Sequence, residues 1–172
     1  MLCERSFRAF YEQTHGALRA YVSRVVGNRA GADDIVQESY VRFLVWARET
    51  YNQPQMRAFL FRIASNLIND YGRQIQKEKR DVRVDPESTE AVATEGNSAL
   101  SGQFARAFEQ LSEQQRALLW LAYVEGYQHR QIAGMLNIGQ GSVRVLMYRA
   151  RSRLVEVLKG MGVERKTNGE SK

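Results

Sequence analysis

Residues 131–143 carry the most distinctive pattern in the chain, QIAGMLNIGQGSV. Ala133 supplies a small side chain where two helices can cross closely, and Asn137 stands four residues later, where a turn is expected. After glycine, asparagine is among the residues that best tolerate the left-handed backbone of such a turn. Val143 follows as an apolar residue early in a second helix, where it can pack back on the first. The spacing predicts a helix-turn-helix.

The second helix of this motif, expected over residues 140–159, has an apolar side and a basic side. Its apolar stripe consists of Val143, Met147, Ala150, Leu154 and Leu158. The opposite side consists of Gly141, Val145, Tyr148 and Ser152, flanked by Arg144 and Arg149 and continued by Arg151 and Arg153. A recognition helix presents its first turns to base edges and its later basic groups to phosphates. The pattern favours DNA binding, although an ordinary packed pair of helices with a solvated basic face has the same spacing.

Helical spacing of apolar residues predicts six further helices, and no stretch alternates in the manner of a strand. They are expected at residues 5–27, 33–48, 54–80, 103–111, 112–124 and 128–136. Asp33 is the expected N-cap of the second helix, and Ser112 with Gln115 forms a capping box before the fifth. The predicted core stripe of the first helix is Phe7, Phe10, Tyr11, Leu18, Tyr21, Val22 and Val25. That of the second helix is Val36, Tyr40, Phe43, Leu44 and Ala47, and that of the third is Met56, Leu60, Ile63, Leu67 and Tyr71.

The charge of the chain varies along its 172 residues. The net charge is +6, but residues 1–80 carry +5, residues 81–103 carry −4 and residues 104–172 carry +5. The acidic segment has few large apolar side chains, which is typical of a flexible linker. The predicted fold is therefore all-α, with two small helical domains, residues 1–80 and 104–160, a flexible acidic linker over residues 81–103, and a polar tail over residues 161–172. Two basic blocks favour an anionic partner such as nucleic acid.

Several classes of function are disfavoured by the composition. Cys3 is the only cysteine, which fits a reducing cytoplasm, and no apolar run approaches the roughly 18 residues that would span a membrane. His15 and His129 are the only histidines, and each is expected to be a surface or capping residue. No HExxH, P-loop, GxSxG or GxGxxG pattern occurs. We therefore predict no catalytic residue, metal site or cofactor, no membrane insertion and a cytoplasmic location.

Two further faces appear in the first domain. In the second helix, Asp34, Glu38, Val41 and Val45 lie opposite the core stripe, and acids beside exposed valines suit a protein partner. The third helix has a second face, which consists of Arg62, Asn66, Asn69 and Arg73. Amide side chains between arginines can hydrogen-bond bases and hold phosphates. The nearby aromatic residues could stack on bases, but core positions are favoured for most of them: Trp46, Tyr51, Phe59 and Phe61.

Taken together, these segments resemble a bacterial sigma-70-family factor of the small extracytoplasmic-function type. Residues 32–44, ADDIVQESYVRFL, resemble region 2.2 of that family, and residues 59–70, FLFRIASNLIND, resemble regions 2.3 and 2.4. Residues 111–116 and 126–153 resemble region 4. The resemblance covers about residues 5–158 in the family's order, and it omits regions 1.1 and 3 as this subclass does.

The resemblance implies a role in transcription initiation and a partner for each face. The implied partners are core RNA polymerase, through its β′ and β subunits, and promoter DNA, with an anti-sigma factor as a further candidate. The residues implied to contact β′ are Asp33, Asp34, Gln37 and Glu38, and Val41 belongs to the same face. The loop Tyr51–Gln55 and Asn66 are implied to hold a flipped base of the −10 element, while Arg57, Arg62 and Arg73 are implied to hold phosphates of the opened strand. The residues implied to read the −35 element are Ser142, Arg144 and Val145 near bases, with Tyr148 and Arg149 nearer the backbone.

The chain departs from the family pattern mainly in region 4. Gln131 stands where an acid is usual, which predicts a weaker cap for the first helix of the motif. Gly139 stands where a serine cap is usual, and Val145-Leu146 replaces a common Ser-Arg pair, so one cation is missing. These changes predict an unusual −35 preference. The alternative function is a stand-alone helix-turn-helix regulator of duplex DNA, which leaves the faces of the first domain unexplained.

Overall fold

The computed structural model of this chain describes residues 4–47, 50–81 and 99–163. Within those ranges the chain forms seven α-helices and no strand, as the sequence predicted. Their bounds are α1 Glu4–Val26, α2 Arg29–Trp46, α3 Gln53–Asp81, α4 Ala99–Glu109, α5 Glu113–Tyr123, α6 His129–Leu136 and α7 Gln140–Gly160. None of these helices is long and apolar enough to cross a membrane.

Helices α1, α2 and α3 pack into a first bundle. Most of the predicted core stripes are buried there, with Tyr21, Val22, Val25 and Phe43 fully inaccessible. Tyr11 and Leu44 are exposed instead, although both were assigned to the core. Leu44 lies one turn beyond Val41, on the solvent side of α2, and the inward positions are taken by Ile35 and Ser39. The predicted core stripe of α2 was therefore too wide, because it included Leu44.

Helix α2 begins one turn earlier than the sequence predicted. Asp33 is not its N-cap, because Asn28 has extended backbone and its side-chain oxygen accepts hydrogen bonds from the amides of Ala30 at 3.0 Å and Gly31 at 3.5 Å. Asparagine is as good an N-cap as aspartate, so the earlier of two candidate caps begins the helix. Gly27 adopts a φ of +73° between α1 and α2, the left-handed turn that glycine accommodates most easily.

Helix α3 is buried on two adjacent sides. Leu60, Ile63 and Leu67 form the predicted inner stripe toward α1 and α2. Phe61 and Ile68 are also buried, on a side that faces the second half of the chain. Phe61 is 0% exposed, so a role in stacking on bases is excluded in this conformation. A helix with apolar residues on both sides is expected between two packed units.

Helices α4 to α7 form the second unit. The capping box of Ser112 and Gln115 is present, and Gly126 has the positive φ expected after α5. Asn137 adopts the left-handed conformation, with φ 53° and ψ 45°, which confirms the predicted turn of the helix-turn-helix. Helix α4 begins at Ala99, inside the segment predicted as linker, because Leu100, Phe104 and Phe108 continue a four-residue helical spacing.

The two units share one continuous apolar core. Helix α5 packs on α1 and α6 packs on α3, so the units lie against each other and not apart as a tether alone would suggest. Residues 82–98, most of the predicted linker, lie outside the described residues, as does most of the predicted tail. The domain boundaries at 80, 103 and 160 remain predictions.

A buried pair of hydroxyl groups joins α1 to α3. Ser65 donates to the carbonyl of Phe61 at 2.8 Å, so the Tyr21 hydroxyl, also at 2.8 Å, donates to Ser65. Burial raises the pKa of Tyr21 well above its ordinary value, and the hydrogen bond to Ser65 offsets only part of that effect. Burial likewise raises the pKa of Tyr40 to about 12, again against the effect of its hydrogen bond, which joins it to Thr14.

The Tyr21→Phe substitution should lower the free energy of unfolding by about 1 kcal/mol at neutral pH, because it removes one buried hydrogen bond. A tyrosine with a raised pKa stabilises the fold fully below pH about 10 and loses that contribution as pH rises further. The stability gap between wild type and variant should therefore narrow by pH 11, as measured by urea unfolding. Tyr148→Phe, at an exposed tyrosine, serves as control; an equal effect from both variants would contradict this account.

Candidate nucleic-acid interface

Helix α2 presents an apolar surface bordered by acids. We call Asp34, Gln37, Glu38, Val41 and Val45 the α2 face; Val45 is 71% exposed, and the exposed Leu44 lies at its edge. Asp34, Gln37 and Val41 are also exposed, whereas the predicted Asp33 is partly buried. An exposed apolar cluster bordered by polar groups marks a protein interaction site.

Arginines of the same bundle hold two of the predicted acids. Arg19 pairs with Asp33 at 3.3 Å, and Arg42 pairs with Glu38 at 2.6 Å. Both pairs are substantially exposed, so each contributes little to stability but fixes the orientation of a carboxylate. The guanidinium of Arg42 also lies 5.7 Å from the ring centroid of Trp46, at the end of α2. Glu38 of the α2 face, and Asp33 beside that face, are thus oriented before any partner binds.

Helix α3 presents a polar face to solvent. Arg62, Asn66, Asn69 and Arg73 are all exposed, as their common helical spacing predicted. Asp70 is 4.0 Å from Arg73, too far to neutralise an exposed guanidinium effectively. Asn69 also lines a small cavity between the units, so only the other three are placed entirely toward solvent.

The segment before α3 is held in shape by reciprocal hydrogen bonds. Asn52 accepts from the backbone amide of Gln55, and the Gln55 side chain accepts from that of Asn52, each at 2.9 Å. This is the arrangement of a capping box, and it fixes where α3 begins. Tyr51, just before it, is half-buried edge-on against Phe59 at 5.6 Å between centroids, so its ring is positioned but partly accessible.

Arg57 differs from the other predicted phosphate contacts. Its guanidinium binds Glu125 of the second unit at 2.5 Å and is not presented to solvent as a free cation. Burial alone lowers the pKa of Arg57, but the hydrogen bond and charge of Glu125 outweigh burial and raise it. Arg57 is therefore paired within the chain in this conformation, and its predicted contact with phosphate stays a prediction. No local pattern indicated the pairing, because its partner lies 68 residues away.

Helix α7 presents the face predicted for a recognition helix. The predicted DNA-contacting residues are all exposed: Ser142, Arg144, Val145, Tyr148 and Arg149. Val143, Met147 and Ala150 are buried as predicted, whereas Leu158 is only half-buried and Val157 takes the inward position. At 3.6 residues per turn, positions 157 and 158 lie about equally far from the line of the stripe, so the helical spacing alone did not distinguish them. Arg151 donates to the Tyr123 hydroxyl at 3.1 Å, and Arg153 pairs with Glu156. Arg144 and Arg149 are therefore better placed than these two arginines to bind DNA.

The first helix of the motif is capped more fully than the sequence suggested. The Gln131 side-chain oxygen accepts from the backbone amide of Gln128 at 3.0 Å, so the amide occupies the place where an acid is usual and makes a capping hydrogen bond there. The loss of capping that was predicted from Gln131 is thus smaller than the sequence suggested. Gly139 offers α7 no side-chain cap, as predicted.

Histidines and acids in the described residues form no metal site. No group of three or more metal-ligating side chains is arranged to bind an ion there. His15 stacks on Tyr11 with 4.7 Å between ring centroids, and His129 begins α6. His129 is exposed, as the predicted surface position requires, whereas His15 is partly buried.

Two protein-family models match this chain, one over the first helical unit and one over the second. The model of sigma-70 region 2 matches residues 10–78, and the model of sigma-70 region 4 matches residues 101–154. The extracytoplasmic-function (ECF) RNA polymerase sigma factor SigL of Mycobacterium tuberculosis is 31% identical over 169 residues, covering 92% of each chain. The ECF RNA polymerase sigma factor EcfG of Rhodopseudomonas palustris is 29% identical, covering 86% of this chain and 82% of its own.

Solved structures of sigma factors share the fold of this chain. The sigma factor RpoE of Bartonella quintana, in complex with the anti-sigma factor NepR, is 26% identical with a TM-score of 0.72, over 92% of this chain and 98% of that one. CnrH, in complex with the cytosolic domain of CnrY, shares the fold with a TM-score of 0.57 at 24% identity, over 89% of each chain.

The cap at Gln131 leads to a stability prediction. Gln131→Ala removes the acceptor for the Gln128 amide and should lower the free energy of unfolding by about 0.5–1 kcal/mol. Gln131→Glu keeps the acceptor and adds a negative charge at a helix N-terminus, so it should raise that free energy by about 0.3–1 kcal/mol. Urea unfolding of the full chain measures both. An alanine variant as stable as wild type would show that the hydrogen bond contributes nothing.

Proposed function

This chain belongs to the extracytoplasmic-function group of the sigma-70 family, and we propose that it binds core RNA polymerase, recognises −10 and −35 promoter elements and promotes strand opening. The observation that carries the proposal is the α2 face, an exposed apolar surface bordered by Asp34 and by Glu38, whose carboxylate is oriented by Arg42. A stand-alone DNA-binding protein leaves that surface without a role.

The α2 face is the proposed contact with the β′ subunit. Exposed valines contribute apolar area, while Asp34 and Glu38 add charge that a basic partner surface can complement. Asp33 and Gln37 extend the same polar border. The second unit is proposed to contact the β subunit, so polymerase is expected to hold the chain at both ends.

The polar face of α3 is the proposed site for the −10 element. Asn66 offers both a donor and an acceptor to one extruded base, and the partly accessible ring of Tyr51 offers a stacking surface. Arg62 and Arg73 are exposed and can bind the phosphates of the opened strand. Arg57 can join them only after it separates from Glu125.

Helix α7 is the proposed reader of the −35 element in the major groove. Ser142, Arg144 and Val145 lie in its first two turns, where a recognition helix meets base edges. Tyr148 and Arg149 lie one turn further on and are assigned to the backbone. Val145 replaces a polar residue common in the family, so its methyl groups are expected to favour contact with a thymine methyl.

The remaining partners follow from this assignment. In the proposed role, this chain itself makes and breaks no covalent bond and needs no cofactor. Because its proposed partners are RNA polymerase and promoter DNA, it is proposed to act in the bacterial cytoplasm. RpoE of Bartonella quintana was solved in complex with the anti-sigma factor NepR, which supports an anti-sigma factor as a further partner here. The stand-alone regulator is not favoured, because it leaves the match to region 2 without a role.

Charge reversal tests the proposed docking surface. The double variant Asp34→Lys/Glu38→Lys should abolish co-elution with bacterial core RNA polymerase on size exclusion, because both carboxylates lie in the α2 face. The double variant Glu12→Lys/Glu156→Lys makes the same change in net charge at exposed acids elsewhere and should co-elute as wild type does. Undiminished binding of the first variant, with unchanged circular dichroism, would refute the docking surface.

Paired arginine variants test the proposed readout by α7. Arg144→Ala should weaken binding of the holoenzyme to its preferred −35 sequence by about 1–3 kcal/mol and relax specificity at one position. Arg149→Ala should weaken all sequences alike and lower the slope of log affinity against log salt by about 1. Binding to a randomised −35 library, followed by sequencing, measures both. A uniform loss from Arg144→Ala would make it a phosphate contact instead.

A further inference from the structure

The last three turns of α7 present a surface that the proposed DNA contacts leave without a role. The 21 residues of α7 extend about 31 Å, and the proposed contacts with the −35 element end at Arg149. The major groove is about 12 Å wide, so the later turns lie outside it when the first two turns are inside. Val155 is in those later turns, about 20 Å along the helix from Ser142, and it is 49% exposed.

A shallow groove surrounds this valine on the outer side of α7. We call it the α7 groove, and its lining residues are Tyr148, Arg151, Ser152, Val155, Glu156 and Lys159. The ring of Tyr148, which is 66% exposed, forms the end of the groove nearest the proposed DNA contacts. Tyrosine, arginine and an apolar centre are the features that distinguish protein interfaces from ordinary surface.

The charges of the α7 groove follow a regular order. Arg151 and Lys159 lie four residues before and four residues after Val155, so each is about 6 Å from it along the same side of the helix. The Tyr123 hydroxyl accepts from Arg151 at 3.1 Å and orients that guanidinium without neutralising it. Glu156 is paired with Arg153 at 3.0 Å, so its charge is already compensated. The groove therefore presents a cation, an apolar side chain and a second cation, one helical turn apart.

This order favours one class of occupant. A DNA backbone would match the two cations but would place Val155 against charged phosphates. A second copy of α7 would set Arg151 and Lys159 against the same cations, whether the two helices ran parallel or antiparallel. An acidic amphipathic helix, with a large apolar residue between two carboxylates one turn apart, matches all three positions.

We propose that the α7 groove docks an acidic amphipathic helix of another protein while the first two turns of α7 hold the −35 element. The docking surface depends only on the geometry of α7, whereas simultaneous binding of DNA rests on the proposed function. The groove is small, so the contact is expected to be transient and to depend on salt. Its consequence is that a protein of this chemistry is brought to the promoter through the second unit.

A designed peptide tests the docking surface on the full chain. The probe is a fluorescein-labelled peptide of 21 residues, with leucine at the a and d positions of three heptads and glutamate at the e and g positions, where the acids oppose its self-pairing. Fluorescence anisotropy should show saturable binding to wild type. Val155→Ser should weaken that binding at least about tenfold, because it removes the apolar centre, and Arg151→Gln/Lys159→Gln should weaken it as much and reduce its salt dependence.

Matched variants elsewhere serve as controls. Val124→Ser changes another exposed valine of the second unit, and Lys77→Gln/Arg130→Gln removes two exposed cations outside the groove. Both should bind the peptide within about twofold of wild type. Absence of binding to wild type, equal losses from the control variants, or equally tight binding of a peptide with the same residues in scrambled order would each overturn the docking surface. A wild-type dimer on size exclusion that Val155→Ser dissociates would assign the groove to a second copy instead.

The same peptide tests simultaneous binding. Its affinity for the holoenzyme formed with bacterial core RNA polymerase should change less than about threefold when promoter DNA is added, because the groove begins where the proposed DNA contacts end. Displacement of the peptide by promoter DNA would overturn that part of the proposal and assign the groove to nucleic acid. If no holoenzyme forms, the proposed function fails, whereas peptide binding to the chain alone still decides the docking surface.

Discussion

The double burial of α3 is the constraint on which the two-unit arrangement depends. Leu60 and Leu67 bind it to α1 and α2, while Phe61 and Ile68 bind it to the second unit. Full burial of one such side chain stabilises a structure by about 1.5–3 kcal/mol. A helix with only one apolar side would have left α6 without a surface to pack on, and the contact of α5 with α1 would have had to join the units. The position of Glu125 beside Arg57 follows from that packing.

Local signals in the sequence predicted most of the helices and the outward faces. The positive φ at Asn137, the capping box at Ser112 and the exposed valines of α2 each depend on residues a few positions apart, so a single sequence carries enough information. The start of α2 was misplaced because Asn28 and Asp33 are equally good caps and only packing decides between them.

Contacts between the units could not be predicted in the same way. Arg57 and Glu125 are 68 positions apart, and each looks like an ordinary solvated charge when read alone. The second apolar side of α3 was the available signal: Phe61 and Ile68 do not fit a helix buried on one stripe. Reading them as a second packing surface predicts a partner for α3, but not which side chains meet there.

The exposed apolar patch on α2 also bears on how the protein persists when alone. Val41, Leu44 and Val45 contact water, and an uncovered patch of this kind favours self-association as concentration rises. A partner that covers the patch removes this liability and stabilises the fold by mass action. The surface proposed for recognition therefore also limits the concentration at which the unbound chain stays monomeric.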